Sequence, residues 1–175
     1  MSLQELWELF PIVLVAPDPT WKKQFREEKK TLEKLLGKKA LGIYHIGSTA
    51  VGTIVAKPIV DIIVETDDPK AAADILAGSG YIVMLRNEDR ISLNKGYTVD
   101  GYADKVFHIH IRKPGDTDEI YFAKYLTEHA DVAEEYGSLK KKLLSQYGRD
   151  RDGYTDAKTD FVKAVTERAK KVYCK

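Results

Sequence analysis

Up to Lys113-Pro114-Gly115 the apolar residues of this chain recur at mixed periods, some helical and some strand-like; beyond it the spacing is helical throughout. Leu3 to Phe10 predicts a short helix stopped by Pro11, and Ile12 to Val15 a brief strand. Asp18-Pro19 is a helix start, with Trp21, Phe25, Leu32, Leu35 and Leu36 close to one face and Gly37 at the end. Leu41 to Ile46 and the run opened by Lys57-Pro58 read as two strands, and Pro69 to Ala77 as a helix closed by Gly78-Ser79-Gly80. Tyr81 to Leu85 and Arg90 to Leu93 predict strands, with Asn94-Lys95-Gly96 as a turn. Val106 to Ile111 alternates with period two, placing Phe107, Ile109 and Ile111 on one face and His108 and His110 on the other. Three helices are predicted after that, over Asp116 to Leu126, Asp131 to Tyr147 and Thr155 to Tyr173. Val132, Tyr136, Leu139, Leu143 and Tyr147 form the apolar stripe of the second; Phe161, Val162, Val165, Ala169 and Val172 form that of the third. The expectation is one domain over residues 1–175: a mixed α/β (α+β) core over 12–113 and a C-terminal helical layer over 116–175.

The segment from His45 to Glu65, HIGSTAVGTIVAKPIVDIIVE, holds the candidate chemistry. A strand runs into Gly47-Ser48-Thr49, and a second strand follows with one acid, Asp61. Glycine lets backbone approach a phosphate, and the hydroxyls and N–H groups of a following turn can cradle it. A carboxylate on the neighbouring strand would hold a divalent cation against the same phosphates. Gly-Ser-Thr is also a common turn string, and a lone strand aspartate is often structural, so the spacing alone leaves both readings open. His108 and His110 lie about 7 Å apart on one side of their strand, a spacing that suits one metal or one phosphate, with His45 and Asp61 as partners. A solvated face is the plainer alternative. Lys57, four residues before Asp61, reads either as a phosphate-seeking cation or as a solvent-facing residue. His129 reads as ordinary surface, Lys140-Lys141-Lys142 as a solvated helix face, and Tyr154 and Lys158 carry no signal of their own.

Composition narrows the class. Hydrophobic residues make up 43% and charged residues 31%, as in an ordinary soluble protein, and the net charge of +1 supplies no global field toward nucleic acid or an anionic membrane. The single cysteine, Cys174, excludes an intrachain disulfide and a cysteine-rich zinc site. No run reaches the roughly 18 apolar residues of a membrane span, and Met1 to Trp7 lacks the features of an export signal, so a cytoplasmic location is expected.

Tyr44 through Ile62 resembles the string E-H-I-G-S-T-S-V-P-G-L-x-A-K-P-I-I-D-I of the GrpB-like proteins, which are assigned to the polymerase-beta-type nucleotidyltransferase superfamily. The family's H-L-H-V is matched by His108 to Ile111, its E-Y-x-x-L-K by Glu135, Tyr136, Leu139 and Lys140, and its Y-T-x-A-K-S-x-F by Tyr154, Thr155, Ala157, Lys158, Thr159 and Phe161. Near the start, Y-D-P-x-W-x-x-x-F resembles Asp18, Pro19, Trp21 and Phe25. The resemblance spans nearly the whole chain. It implies a nucleotidyltransferase core in which Gly47 and Ser48 contact nucleotide phosphates, Asp61 binds metal, and His108 and His110 line the cleft; Thr49 and Lys57, read from the motif itself, are the further phosphate-binding candidates. Tyr44 replaces a usual glutamate, Val51-Gly52-Thr53 replaces V-P-G, and Phe122-Ala123-Lys124-Tyr125-Leu126 replaces F-R-D-Y-L.

Active members of the superfamily carry an acid-x-acid pair and a third acid around two Mg²⁺ ions. Here Ile59 and Ile63 flank Asp61, Glu65 lies about 13 Å along the strand, and the later strand offers histidines. The expectation is therefore a nucleotide or small phosphorylated ligand, a nucleoside triphosphate as substrate, held with one divalent ion, and nucleotidyl transfer as the reaction if the chain is catalytic. That ion is Mg²⁺ or Mn²⁺, or Zn²⁺, which imidazole favours. Asp61, His108, His110 and His45 are its candidate ligands, Asp61, His108 and His110 the candidate catalytic groups, and the acceptor is open. Relatives fused to a coenzyme A biosynthesis kinase make a non-catalytic accessory or folding-assistance module the alternative. A His/Asp metal-dependent phosphohydrolase is the second alternative.

Overall fold

The computed structural model describes residues 2–175; Met1, where the reading of the N-terminal segment begins, lies outside them. Helix α1 (Leu3–Leu9) is started by a Ser2–Glu5 capping box, and α2 (Thr20–Leu36) begins where Asp18 accepts from the Thr20 N–H at 2.8 Å. Strand β1 (Gly42–Ile46) leads into the short helix α3 (Gly47–Val51), followed by β2 (Val60–Glu65) and α4 (Pro69–Ala77). A three-strand meander, β3 (Ile82–Arg86), β4 (Arg90–Thr98) and β5 (Gly101–Arg112), precedes helices α5 (Asp118–Glu128), α6 (Ala130–Tyr147) and α7 (Arg151–Tyr173).

The five strands form one mixed sheet in the order β1-β2-β5-β4-β3. Only the β2–β5 pair is parallel; the others are antiparallel. One face packs on α2 and α4 through Ile43, Ile62, Val64, Leu93, Ile109 and Ile111, all buried. A second apolar cluster joins α3 to the C-terminal helices through Val51, Phe122, Leu126, Val132, Tyr136 and Val165. The site-bearing side chains lie between these clusters, on the sheet face opposite α2.

Three expectations are corrected. Ile12 to Val15 forms no strand, only a single bridge between Val15 and Ala56. Gly47-Ser48-Thr49 is not a bare turn but opens α3, which ends at Gly52 in the left-handed conformation. Asn94-Lys95-Gly96 lies inside β4; Gly96, with φ 91°, is a bulge where a Cβ would collide with the Lys105 carbonyl. The bulge has a consequence for the site. Lys95 faces α2, where it donates to buried Glu28. One residue is then passed over, so Tyr97 turns to the opposite face, that of His108.

Candidate functional site

Register builds the centre. Asp61 on β2 pairs with His108 on β5, and Ile63 pairs with His110, so one carboxylate and two imidazoles share a face. His110 Nε2 donates to Asp61 Oδ1 at 3.1 Å, and His108 Nδ1 lies 3.4 Å from the same oxygen. With Nδ1 turned to the carboxylate, His108 Nε2 is left to accept from the Tyr97 hydroxyl at 2.6 Å. Arg151 at the start of α7 donates to that hydroxyl at 3.4 Å. Burial pushes the Asp61 carboxyl up, but the hydrogen bonds and charge of the two histidines outweigh it and hold it well below the usual carboxylate range. Burial raises the Tyr97 phenol to about 12.

His45 is not brought to this group. It stands opposite Ile62, on the face that carries the core, stacked on Phe25 with its Nε2 2.9 Å from the Thr49 hydroxyl. Burial lowers it to about 4, so it is neutral at physiological pH. Thr49 borders the cleft, but its hydroxyl is engaged with His45.

Beside Asp61 lies a chamber of about 230 Å³, lined by Gly47, Ser48, Lys57, Asp61, Lys140 and Lys158 together with Tyr136 and Tyr154. Gly47 adopts φ +73°, and a Cβ there would sit 3.1 Å from Asp61 Oδ2; glycine meets both demands. Lys57 is half-buried in this wall, not turned out to solvent. Lys140 corrects the expectation of a solvated face. It is 3% exposed, and its Nζ donates to Ser48 Oγ at 2.8 Å and to the Val55 carbonyl. Its signal was its place in the stripe: four residues after Tyr136 and three before Leu143, it shares their buried face. Lys158 lies four residues after buried Tyr154 and packs its ammonium over that ring at 4.5 Å. Burial, then repulsion from Lys158 and Lys57, lowers Lys140 to about 7. Burial, then repulsion from Lys57, lowers Lys158 to about 8, with Asp61 opposing the shift and Arg151 adding to it. Burial also lowers Lys57. His129 accounts for the remaining histidine, stacked on Tyr125 at 3.8 Å with Nδ1 on its carbonyl.

A second chamber of about 520 Å³ opens between α5 and α7. It shares Gly47, Tyr136, Thr155 and Lys158 with the first, and Ile46, Phe122 and Val162 make its floor apolar.

The donor set does not suit a divalent ion. Both histidines direct a nitrogen at the same Asp61 oxygen instead of at a shared point, Ile59 and Ile63 flank the acid, and Glu65 reaches toward the Gly115 N–H at 3.4 Å. Among the described residues no group of three or more His, Cys, Asp and Glu side chains could hold a metal ion.

The family described as GrpB protein matches residues 11–168. The chain is 28% identical over 178 residues to UPF0157 protein YqkA of Bacillus subtilis, a match covering 97% of this chain and 51% of that protein. It is similar to the crystal structure of conserved protein GrpB from Enterococcus faecalis, with a TM-score of 0.81 and 30% identity over 93% of this chain and 100% of that one. The Cid1 poly(U) polymerase is similar in fold, with a TM-score of 0.53 and 15% identity over 85% of this chain and 45% of that chain. Among the described residues no helix is long and apolar enough to cross a membrane.

Proposed function

We propose that this chain, which belongs to the GrpB protein family and has a nucleotidyltransferase-like fold, is a cytoplasmic nucleotide-binding protein. One observation carries the reading: Lys57, Lys140 and Lys158 line one chamber with Gly47 and Ser48, and among the described residues Asp61 is its only lining carboxylate. Burial disfavours the charge on all three lysines, and neighbouring lysines add to this at Lys140 and Lys158, so an anion in the chamber offsets the cost. Because Lys140 donates to Ser48 Oγ, the serine hydroxyl hydrogen is left to donate to a phosphate oxygen. The contiguous second chamber favours a nucleotide over a bare phosphate, since beside its charged residues Asp118, Glu119, Lys163 and Glu167 it offers Phe122, Tyr136 and Val162 to a base or another apolar group.

The reading is one of binding. Ile59 and Ile63 stand where a second acid would share an ion with Asp61, so transfer through paired ions is not part of it. The test is thermal stabilisation. ATP should raise the melting temperature by mass action, tripolyphosphate should raise it less, and adenosine less again. No shift with ATP or tripolyphosphate would refute the reading.

A further inference from the structure

A site built around divalent ions gathers carboxylates, because the ligand's charge is met by the ions and the ions' charge by the protein. In this cleft the signs are reversed. The one carboxylate, Asp61, is already answered by His108 and His110, while the ammonium groups of Lys57, Lys140 and Lys158 face the same space. A divalent cation entering beside three ammoniums meets repulsion, whereas a chain of phosphates meets attraction at every lysine.

The lysines also retain donors to give. An ammonium has three, and Lys140 uses two of them, on Ser48 and on the Val55 carbonyl. Among the described residues Lys57 and Lys158 form no ion pair; Lys158 rests on the ring of Tyr154. A lysine as buried as Lys140, without a carboxylate partner, is costly unless something anionic arrives.

We infer that the cleft grips the polyphosphate of its nucleotide directly on Lys57, Lys140 and Lys158, so that binding requires no divalent ion. The inference rests on the nucleotide reading above and specifies how the charge is met. Asp61 then acts as a wall of the chamber, held from behind by His108, Tyr97 and Arg151, and not as a metal ligand.

Equilibrium dialysis of metal-stripped protein against ATP, in EDTA and in excess Mg²⁺ or Mn²⁺, separates the possibilities. ATP should bind in EDTA at least as tightly as with either metal, because the uncomplexed nucleotide carries more charge. K158M should weaken binding about tenfold in EDTA, the size expected for one charge-assisted contact. Binding seen only with a metal would overturn the inference and leave the nucleotide reading standing. ATP binding that K158M leaves unchanged would overturn the placement on the lysines. No binding of ATP or tripolyphosphate under any condition would overturn the nucleotide reading itself, and the inference with it.

Discussion

Lys140 Nζ lies 2.8 Å from Ser48 Oγ and ties α6 to the first turn of α3 across ninety-two residues of chain. Replacing it with methionine removes a desolvated charge, which favours the fold, and leaves the Val55 carbonyl without its donor, which costs about 1–3 kcal/mol. These effects oppose each other. K140M should therefore keep its stability within about 1 kcal/mol in urea denaturation while losing ATP affinity about tenfold or more. A fall of about 3 kcal/mol with affinity intact would make Lys140 a structural cross-link.

The depressed lysines also set a pH dependence. Lys140 titrates near 7 in the folded chain and near 10.5 when unfolded, so between those values the unfolded chain holds more protons. Stability should thus rise as pH increases from 7 toward 10. The urea midpoint of the parent should climb over this window, and K140M should flatten the climb.

Ligand binding runs in the opposite sense. A polyanion raises the affinity of Lys140 and Lys158 for protons, so complex formation at pH 8 should take protons up. Calorimetric heats in two buffers of different ionisation enthalpy measure this uptake. Affinity for tripolyphosphate should fall from pH 7 to 9.

Gly47 should tolerate no side chain. G47A forces alanine to φ +73° and brings Cβ within 3.1 Å of Asp61 Oδ2, whereas G80A meets the same kind of backbone strain at φ +92° with nothing within 4 Å. G80A should cost about 1 kcal/mol and G47A measurably more, by denaturant unfolding. Equal losses would mean that the approach to Asp61 is not tight.

Much of this arrangement could be read before folding. Period-two alternation over Phe107 to Ile111 put His108 and His110 on one face, and the β-prone run after Pro58 put Asp61 on a neighbouring strand; short-range pattern decides such placements. His45 was misplaced because its face depends on register against β2, which pairs it with Ile62. The turn expected at Gly96 had a competitor at Gly101, which closes the actual hairpin tip of Val99-Asp100 by pairing with Thr98, and local chemistry does not choose between two glycines. Lys57 was legible from the motif, whereas Lys140 and Lys158 were not, for a different reason. Lys140 and Lys158 sit on apolar stripes, where a cation is ordinarily assumed to snorkel outward; the chamber they share with Ser48 exists only once α6 and α7 have docked.

Asp61 offers the sharpest contrast between a lysine-held and a metal-held ligand. D61N keeps the side chain's shape and removes the only carboxylate that lines the lysine-walled chamber among the described residues. If the lysines hold the nucleotide, D61N should bind ATP in EDTA as tightly as the parent or more tightly, because a repelling charge has gone. A loss of affinity of about tenfold or more would instead mark Asp61 as essential to holding the ligand and refute the lysine-held site.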